Sequence, residues 1–160
     1  MILVIMGVAG IGKTTVGQAL AHDLHWRFVD ADTYHSAANV AKMHAGIPLT
    51  DADREPWLAS LHEAIVGWLA RDENVVLACS ALKASYRSDL VVSPEVKLVY
   101  LRGELELVAS RLAARQGHYM NPDLLQSQFD ALEEPGNAAV FDASLPVVQL
   151  VAAIRHALEV

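Results

Sequence analysis

The chain has 160 residues, 53% of them hydrophobic and 19% charged, with 12 lysines and arginines against 19 aspartates and glutamates. That composition excludes intrinsic disorder and sets the expectation of one compact domain over residues 1–160, while the net charge of −7 argues against nucleic-acid binding through overall basicity. No apolar run reaches the roughly 20 residues of a membrane span, no secretory leader is recognisable, and the single cysteine, Cys79, forms no internal disulfide, so the expected compartment is the cytoplasm.

Ile2 to Met6 is a short apolar run ending at a glycine, the pattern of a strand buried on both faces. Val16, Leu20 and Leu24 then recur at helical spacing, and Phe28 and Val29 make a second, weaker strand that runs into Asp30 and Asp32. A short helix is expected around Ala37 to His44, a turn at Gly46 to Pro48, and a longer helix from about Asp53 to Ala70 on the period of Leu58, Leu61, Ile65, Trp68 and Leu69. Asn74 to Cys79 reads as a third strand, Lys83 to Val91 as a helix, and Lys97 to Leu101 as a fourth strand. Helices over Glu104 to Arg115 and Asp123 to Leu132 flank a break at Gly117 to Pro122; a weak fifth strand, Val140 to Asp142, precedes a closing helix from Pro146 to Leu158. Strands alternating with helices specify an α/β protein with a parallel sheet covered on both faces, because parallel neighbours need crossover connections.

The strongest chemical signal is Gly7 to Thr14, GVAGIGKT, which matches G-x-x-x-x-G-K-[ST] directly between the first strand and the first helix. Glycines at those positions let the backbone close around a diphosphate with its N–H groups pointing inward, and the helix that follows adds a partially positive N-terminus. Lys13 neutralises phosphate oxygens in such a loop, and the Thr14 hydroxyl is placed to ligate Mg²⁺. Gly7, Val8, Ala9, Gly10, Ile11, Gly12, Lys13, Thr14 and Thr15 are therefore the expected nucleotide-binding residues, with ATP and Mg²⁺ as cofactors. No Asn-Lys-x-Asp run of a guanine-reading switch exists in the sequence.

A small-molecule kinase also needs an acceptor pocket, a carboxylate near the acceptor hydroxyl and cations over the moving phosphoryl group. Asp30 and Asp32 stand at the end of the second strand, where open α/β sheets bind ligands, and alternate positions of an extended segment share a face. One is expected to hold a water of the Mg²⁺ shell while the other takes a proton from the attacking hydroxyl; the other reading is that either caps the next helix. His35, Asn39, Lys42, Asp53 and Arg54, followed by Trp57, form a dense set of donors and cations suited to a polyhydroxylated acid, and Ser80, Lys83, Tyr86 and Arg87 repeat the pattern after the third strand. Arg111 and Arg115, four apart on one helix face before Gly117 and His118, suit a mobile lid.

With these residues in view, the chain resembles the gluconokinases, P-loop kinases that phosphorylate D-gluconate on its 6-hydroxyl with ATP and Mg²⁺. The resemblance runs from Ile2 to about Pro135 and rests on GVAGIGKTTV, DADTYHSAANVAKMHAGIPLTDADREPWL, CSALKASYRSDL and VYLRGELELVASRLAARQGHYMNPDLLQSQFDALEEP. It implies a three-layer P-loop fold with five parallel strands in the order 2-3-1-4-5, a lid over about 115–125 between Arg115 and Leu125, and a homodimer. It further implies Lys13 and Thr14 at ATP and Mg²⁺ and Asp32 by the acceptor hydroxyl, which leaves Asp30 as the carboxylate expected on the metal through a water. His35, Lys42, Arg54 and Arg87 resemble gluconate contacts, and Arg111, Arg115 and His118 resemble lid residues, with His118 set to contact either the substrate or the nucleotide. The chain departs from the family in carrying Ala9, Ile11 and Thr14 where serines are common, and Ser36 where proline is usual. The rival readings are a shikimate kinase or nucleoside monophosphate kinase on the same scaffold, or a regulatory module that uses the loop as a nucleotide switch.

Overall fold

The computed structural model describes residues 1–115 and 121–160. In chain order these form β1 (Ile2–Met6), α1 (Lys13–Leu24), β2 (Arg27–Asp30), a short 3-10 turn (Ala31–Tyr34), α2 (Ala37–His44), α3 (Asp51–Ala70), β3 (Val75–Ala78), α4 (Ala84–Leu90), β4 (Val96–Arg102), α5 (Leu105–Ala114), α6 (Pro122–Ala131), β5 (Ala139–Asp142) and α7 (Val147–Leu158). The five strands form one parallel sheet in the order β2-β3-β1-β4-β5, the topology that the family resemblance implies.

The central strand explains the layering. Ile2, Val4 and Met6 point to one face, where Leu61, Ile65 and Trp68 of α3 and Leu90 of α4 cover them. Leu3 and Ile5 point to the other, against Val16 and Leu20 of α1, Val108 of α5, and Leu150 and Ile154 of α7. Successive strand residues alternate faces, so a strand with no polar residue is what a doubly covered sheet demands. Leu61 and Ile65 are fully buried, each contributing about 1.5–3 kcal/mol of apolar burial, and truncating either to Ala costs about 2–5 kcal/mol.

Helix α3 begins two residues earlier than its apolar period suggests, at Asp51, because Thr50 and Asp53 form a reciprocal cap. The Asp53 amide donates to Thr50 Oγ1 at 3.1 Å, and the Thr50 amide donates to Asp53 Oδ2 at 2.9 Å. That cap sets where the following turn, which carries Arg54 and Trp57, enters the site.

Candidate active site

The loop between β1 and α1 is built from backbone. Gly7 has φ +148°, and a Cβ there would stand 2.9 Å from the carbonyl oxygen of Leu101 on β4, so only glycine lets the chain turn this close to its neighbouring strand. Gly12 has φ +109° and caps α1 without any side-chain bond, which leaves the first amides of the helix facing the loop's interior. Lys13 curls back over the loop, its Nζ donating to the Val8 carbonyl at 2.9 Å. Burial pulls the Lys13 pKa below the ordinary lysine value, and the negative charges of Asp32 and Asp30 oppose that pull.

The two aspartates lie beside this loop in an arrangement the strand pattern does not anticipate. β2 ends at Asp30, and Asp32 sits on the 3-10 turn, so the shared-face argument for an extended segment does not hold. Asp30 Oδ1 accepts the Asp32 amide at 2.9 Å and so caps the turn, while its Oδ2 stands 3.5 Å from Thr14 Oγ1. One carboxylate thus caps the turn and also stands beside the Thr14 hydroxyl. Thr14 Oγ1 and Asp30 Oδ2 make a hard-oxygen pair of the kind Mg²⁺ takes when waters and phosphate oxygens complete its shell. Among the described residues no cluster of three or more His, Cys, Asp or Glu stands ready to hold a metal alone. Asp32 has its pKa raised, first by desolvation in the cleft and then by the Asp30 charge, with His35 and Lys13 pulling the other way. Its side chain nonetheless remains 65% exposed, so substrate filling the cleft would desolvate it further.

A cavity of about 670 Å³ joins the loop to the acceptor side. Ala9, Gly10, Lys13, Thr14, Asp30 and Asp32 line it at one side, and His35, Asp51, Arg54, Trp57, Lys83 and Tyr86 line it at the other. His35 stacks on Trp57 with ring centroids 4.4 Å apart and 13° between planes, and the Trp57 indole N–H donates to the Ala31 carbonyl at 2.8 Å. Burial lowers the His35 pKa, Asp32 opposes the shift, and Arg54 reinforces it. Arg54 Nη1 donates to the Leu49 carbonyl at 2.8 Å and to the Tyr86 hydroxyl at 3.3 Å. Tyr86 in turn donates to Asp51, whose carboxylate also receives the Lys83 ammonium at 3.0 Å; these two bonds hold the Asp51 pKa down. Two cations and one carboxylate around a phenol give this wall a net positive charge facing the cavity.

The chain matches known proteins over nearly its whole length. The family described as the AAA domain matches residues 2–135. A probable gluconokinase of Mus musculus is 42% identical over 99% of this chain and 97% of its own length. The crystal structure of a gluconokinase from Sinorhizobium meliloti 1021 superposes with a TM-score of 0.85 at 38% identity, covering 98% of this chain and 94% of that one. The chain belongs to the gluconokinase family. A shikimate kinase from Bacteroides thetaiotaomicron, covering 100% of this chain and 99% of its own with a TM-score of 0.75 at 22% identity, shares the fold.

Against the family pattern the remaining expected residues divide. Lys42 does not line the cavity; its Nζ is held by both oxygens of Asp53 at 2.9 and 3.0 Å. Arg87, expected as a gluconate contact, is buried on α4 and spends Nη1 on the Ala81 and Leu82 carbonyls, bracing the segment that carries Lys83 rather than lining the cavity. Arg111 Nη1 donates to the Ile11 carbonyl and Nη2 to the Ala143 carbonyl, which ties α5 to the phosphate loop. Arg115 is exposed at the end of α5. His118 lies outside the described residues, as does most of the expected lid; Asn121 to Leu125, its far end, is the cap and first turn of α6. Where the family commonly has proline, Ser36 caps α2 with its Oγ accepting the Asn39 amide at 3.2 Å, so a side-chain bond supplies the restraint that a ring would. Two residues went unmarked in the sequence. Asp51 is hidden among neighbouring acids at a helix start, and Gln128 is an ordinary polar position of α6 whose Oε1 accepts the Ala9 amide at 3.2 Å. Neither carries a local signal; only the fold brings them to the loop and the cavity. Cys79, a buried strand-end thiol with its pKa pushed up to about 12 by burial, is no nucleophile.

Proposed function

We propose that the chain transfers the γ-phosphoryl group of ATP to the 6-hydroxyl of D-gluconate. The observation that carries this reading is the single cavity shared by the phosphate loop, the Asp30 and Asp32 pair and the cationic acceptor wall. A phosphoryl group held by the loop amides and Lys13 would face a hydroxyl held near Asp32, and a sugar acid's carboxylate would find Arg54 and Lys83 on the opposite wall. Asp32 takes the hydroxyl's proton as the oxygen attacks phosphorus, a role favoured by its raised pKa. Little covalent work falls to the protein, so positioning and charge stabilisation carry the rate.

Thr14, directly, and Asp30, through a water, would hold Mg²⁺, which when bound supplies charge neutralisation along the phosphate chain. Arg111, on α5, and Arg115, just after it, close on the transferring group. Lys42 and Arg87 support the acceptor wall from behind, through Asp53 and through the Ala81 and Leu82 carbonyls. A cytoplasmic homodimer belongs to the same reading; among the described residues no helix is long and apolar enough to cross a membrane. ADP release coupled to an optical readout, run over gluconate, shikimate, nucleoside monophosphates and no acceptor, tests the proposal. Turnover with gluconate alone is expected. Turnover with another member of the panel and none with gluconate reassigns the acceptor, and acceptor-independent nucleotide binding without turnover returns the regulatory reading.

A further inference from the structure

We infer that Asn39 is a positioning residue that fixes the tautomer of His35, so that the imidazole presents a donor, Nε2–H, to the acceptor cavity and has no lone pair there to act as a base. Asn39 is buried on α2, and one atom of its carboxamide stands 2.8 Å from the Asp53 carbonyl oxygen. A carbonyl oxygen only accepts, so the atom facing it is the nitrogen, Nδ2, and the amide's orientation follows from chemistry. The same Nδ2 lies 3.3 Å from His35 Nδ1. An amide nitrogen donates and does not accept, so Nδ1 must offer its lone pair. A neutral imidazole then carries its proton on Nε2.

The ring has little freedom to escape this assignment. Its side chain is 4% exposed and lies flat on Trp57, which is itself tied to the Ala31 carbonyl. Nε2 stands 4.0 Å from Asp32 Oδ1, too far for a direct hydrogen bond. An oxygen atom within about 3 Å of both fits between them. A hydroxyl seated there accepts from Nε2–H and has one group left to donate to, the Asp32 carboxylate. The tautomer therefore aims the hydroxyl's proton at Asp32; with the opposite tautomer His35 would compete for it. The anchor of this relay is the cap of α3, where Lys42 and Thr50 hold the Asp53 side chain while the Asp53 carbonyl holds Asn39. Lys42 thus influences the site at two removes from any ligand.

This inference rests on the proposed function only for its kinetic arm. In long-range ¹H–¹⁵N correlation spectra at a pH where the ring is neutral, the two His35 nitrogens report directly which one is protonated; His35→Gln assigns the signal among the seven histidines. Wild type is expected to show the proton on Nε2. Asn39→Asp puts an acceptor against Nδ1 and is expected to move the proton there, with kcat for gluconate falling about 10- to 100-fold while the KM for ATP is unchanged. Should Asn39→Asp fail to fold, Asn39→Ala frees the ring to a mixture of tautomers with a smaller loss of kcat. A wild-type proton on Nδ1 overturns the inference without reference to any acceptor, and so does a switched tautomer with unchanged gluconate kinetics. If the acceptor panel reassigns the substrate, the kinetic arm is run with the acceptor found there, and the spectroscopic arm stands as it is.

Discussion

The two ends of the cavity are made differently. The phosphate end is contiguous backbone, eight residues from Gly7 to Thr14, shaped by glycine geometry and closed by the first amides of α1, which no side chain caps. The acceptor end is side chains drawn from the 3-10 turn, α2, α3, α4 and the segment after β3, each held by a further residue: His35 by Asn39 and Trp57, Arg54 by Leu49, Tyr86 by Asp51. A backbone site tolerates side-chain change and binds what all its ligands share, the polyphosphate. A side-chain site can be tuned, and its failures propagate through the supports. The family departures agree with this division: Ala9 and Ile11 fall at the backbone end, where phosphate contact is left to the main chain and the Ile11 side chain packs into the core instead, whereas the change at Ser36 falls at the acceptor end and is met by a compensating hydrogen bond.

That contrast can be broken or sharpened by mutation. The largest effect is expected at the phosphate end, where Lys13→Met should lower kcat/KM about 10³-fold by removing the one cation the loop carries; a loss under 10-fold would move the phosphoryl stabilisation elsewhere. Asp32→Asn should lower kcat about 100-fold and leave nucleotide binding, measured by calorimetry, unchanged. Near-normal turnover in that variant would remove Asp32 from the role of base. At the acceptor wall, Arg54→Ala should raise the KM for gluconate about 10-fold or more, with the KM for ATP moving less than about 2-fold. Equal shifts in both would show that the two ends are not separable.

The smallest effect concerns a support, and it is read in stability. Asp53 has its pKa held at about 2, first by the Lys42 hydrogen bond and then by the Thr50 amide, against an ordinary value of 3.8. A depressed folded-state pKa contributes stability that is fully present above the ordinary value and is lost as pH falls through the folded one. The wild-type Tm should therefore drop between about pH 4 and pH 2 more steeply than that of Asp53→Asn. Parallel curves would mean that the cap and the Lys42 pair contribute nothing measurable.

The sheet, its helices and the phosphate loop were legible in the sequence because each is a local pattern: an apolar run, a helical period, a glycine spacing. The start of α3 was misplaced by two residues since its cap is a pair of polar side chains, Thr50 and Asp53, outside the apolar period. The acceptor wall was legible as residue types and not as roles. Lys42 and Arg87 look like ligand cations in the sequence, whereas in the fold neither lines the cavity, Lys42 pairing with Asp53 and Arg87 bracing the Ala81 and Leu82 carbonyls. Asp51 and Gln128 reach the site only through tertiary packing, of α3 against α4 for the first and of α6 against the loop for the second. The sequence pattern suggests extended geometry through Asp30 and Asp32, but the Asp30 side chain bonds the Asp32 amide and the chain bends into a turn instead.

The central claim is that one cavity holds both partners of the transfer with Asp32 between them. A crystal structure with a non-hydrolysable ATP analogue, Mg²⁺ and gluconate tests it most directly. The terminal phosphate is expected in the loop against Lys13, the 6-hydroxyl between that phosphate and Asp32, and the gluconate carboxylate at Arg54 and Lys83. A loop without phosphate, or a gluconate bound with its carboxylate toward the nucleotide, would contradict the account.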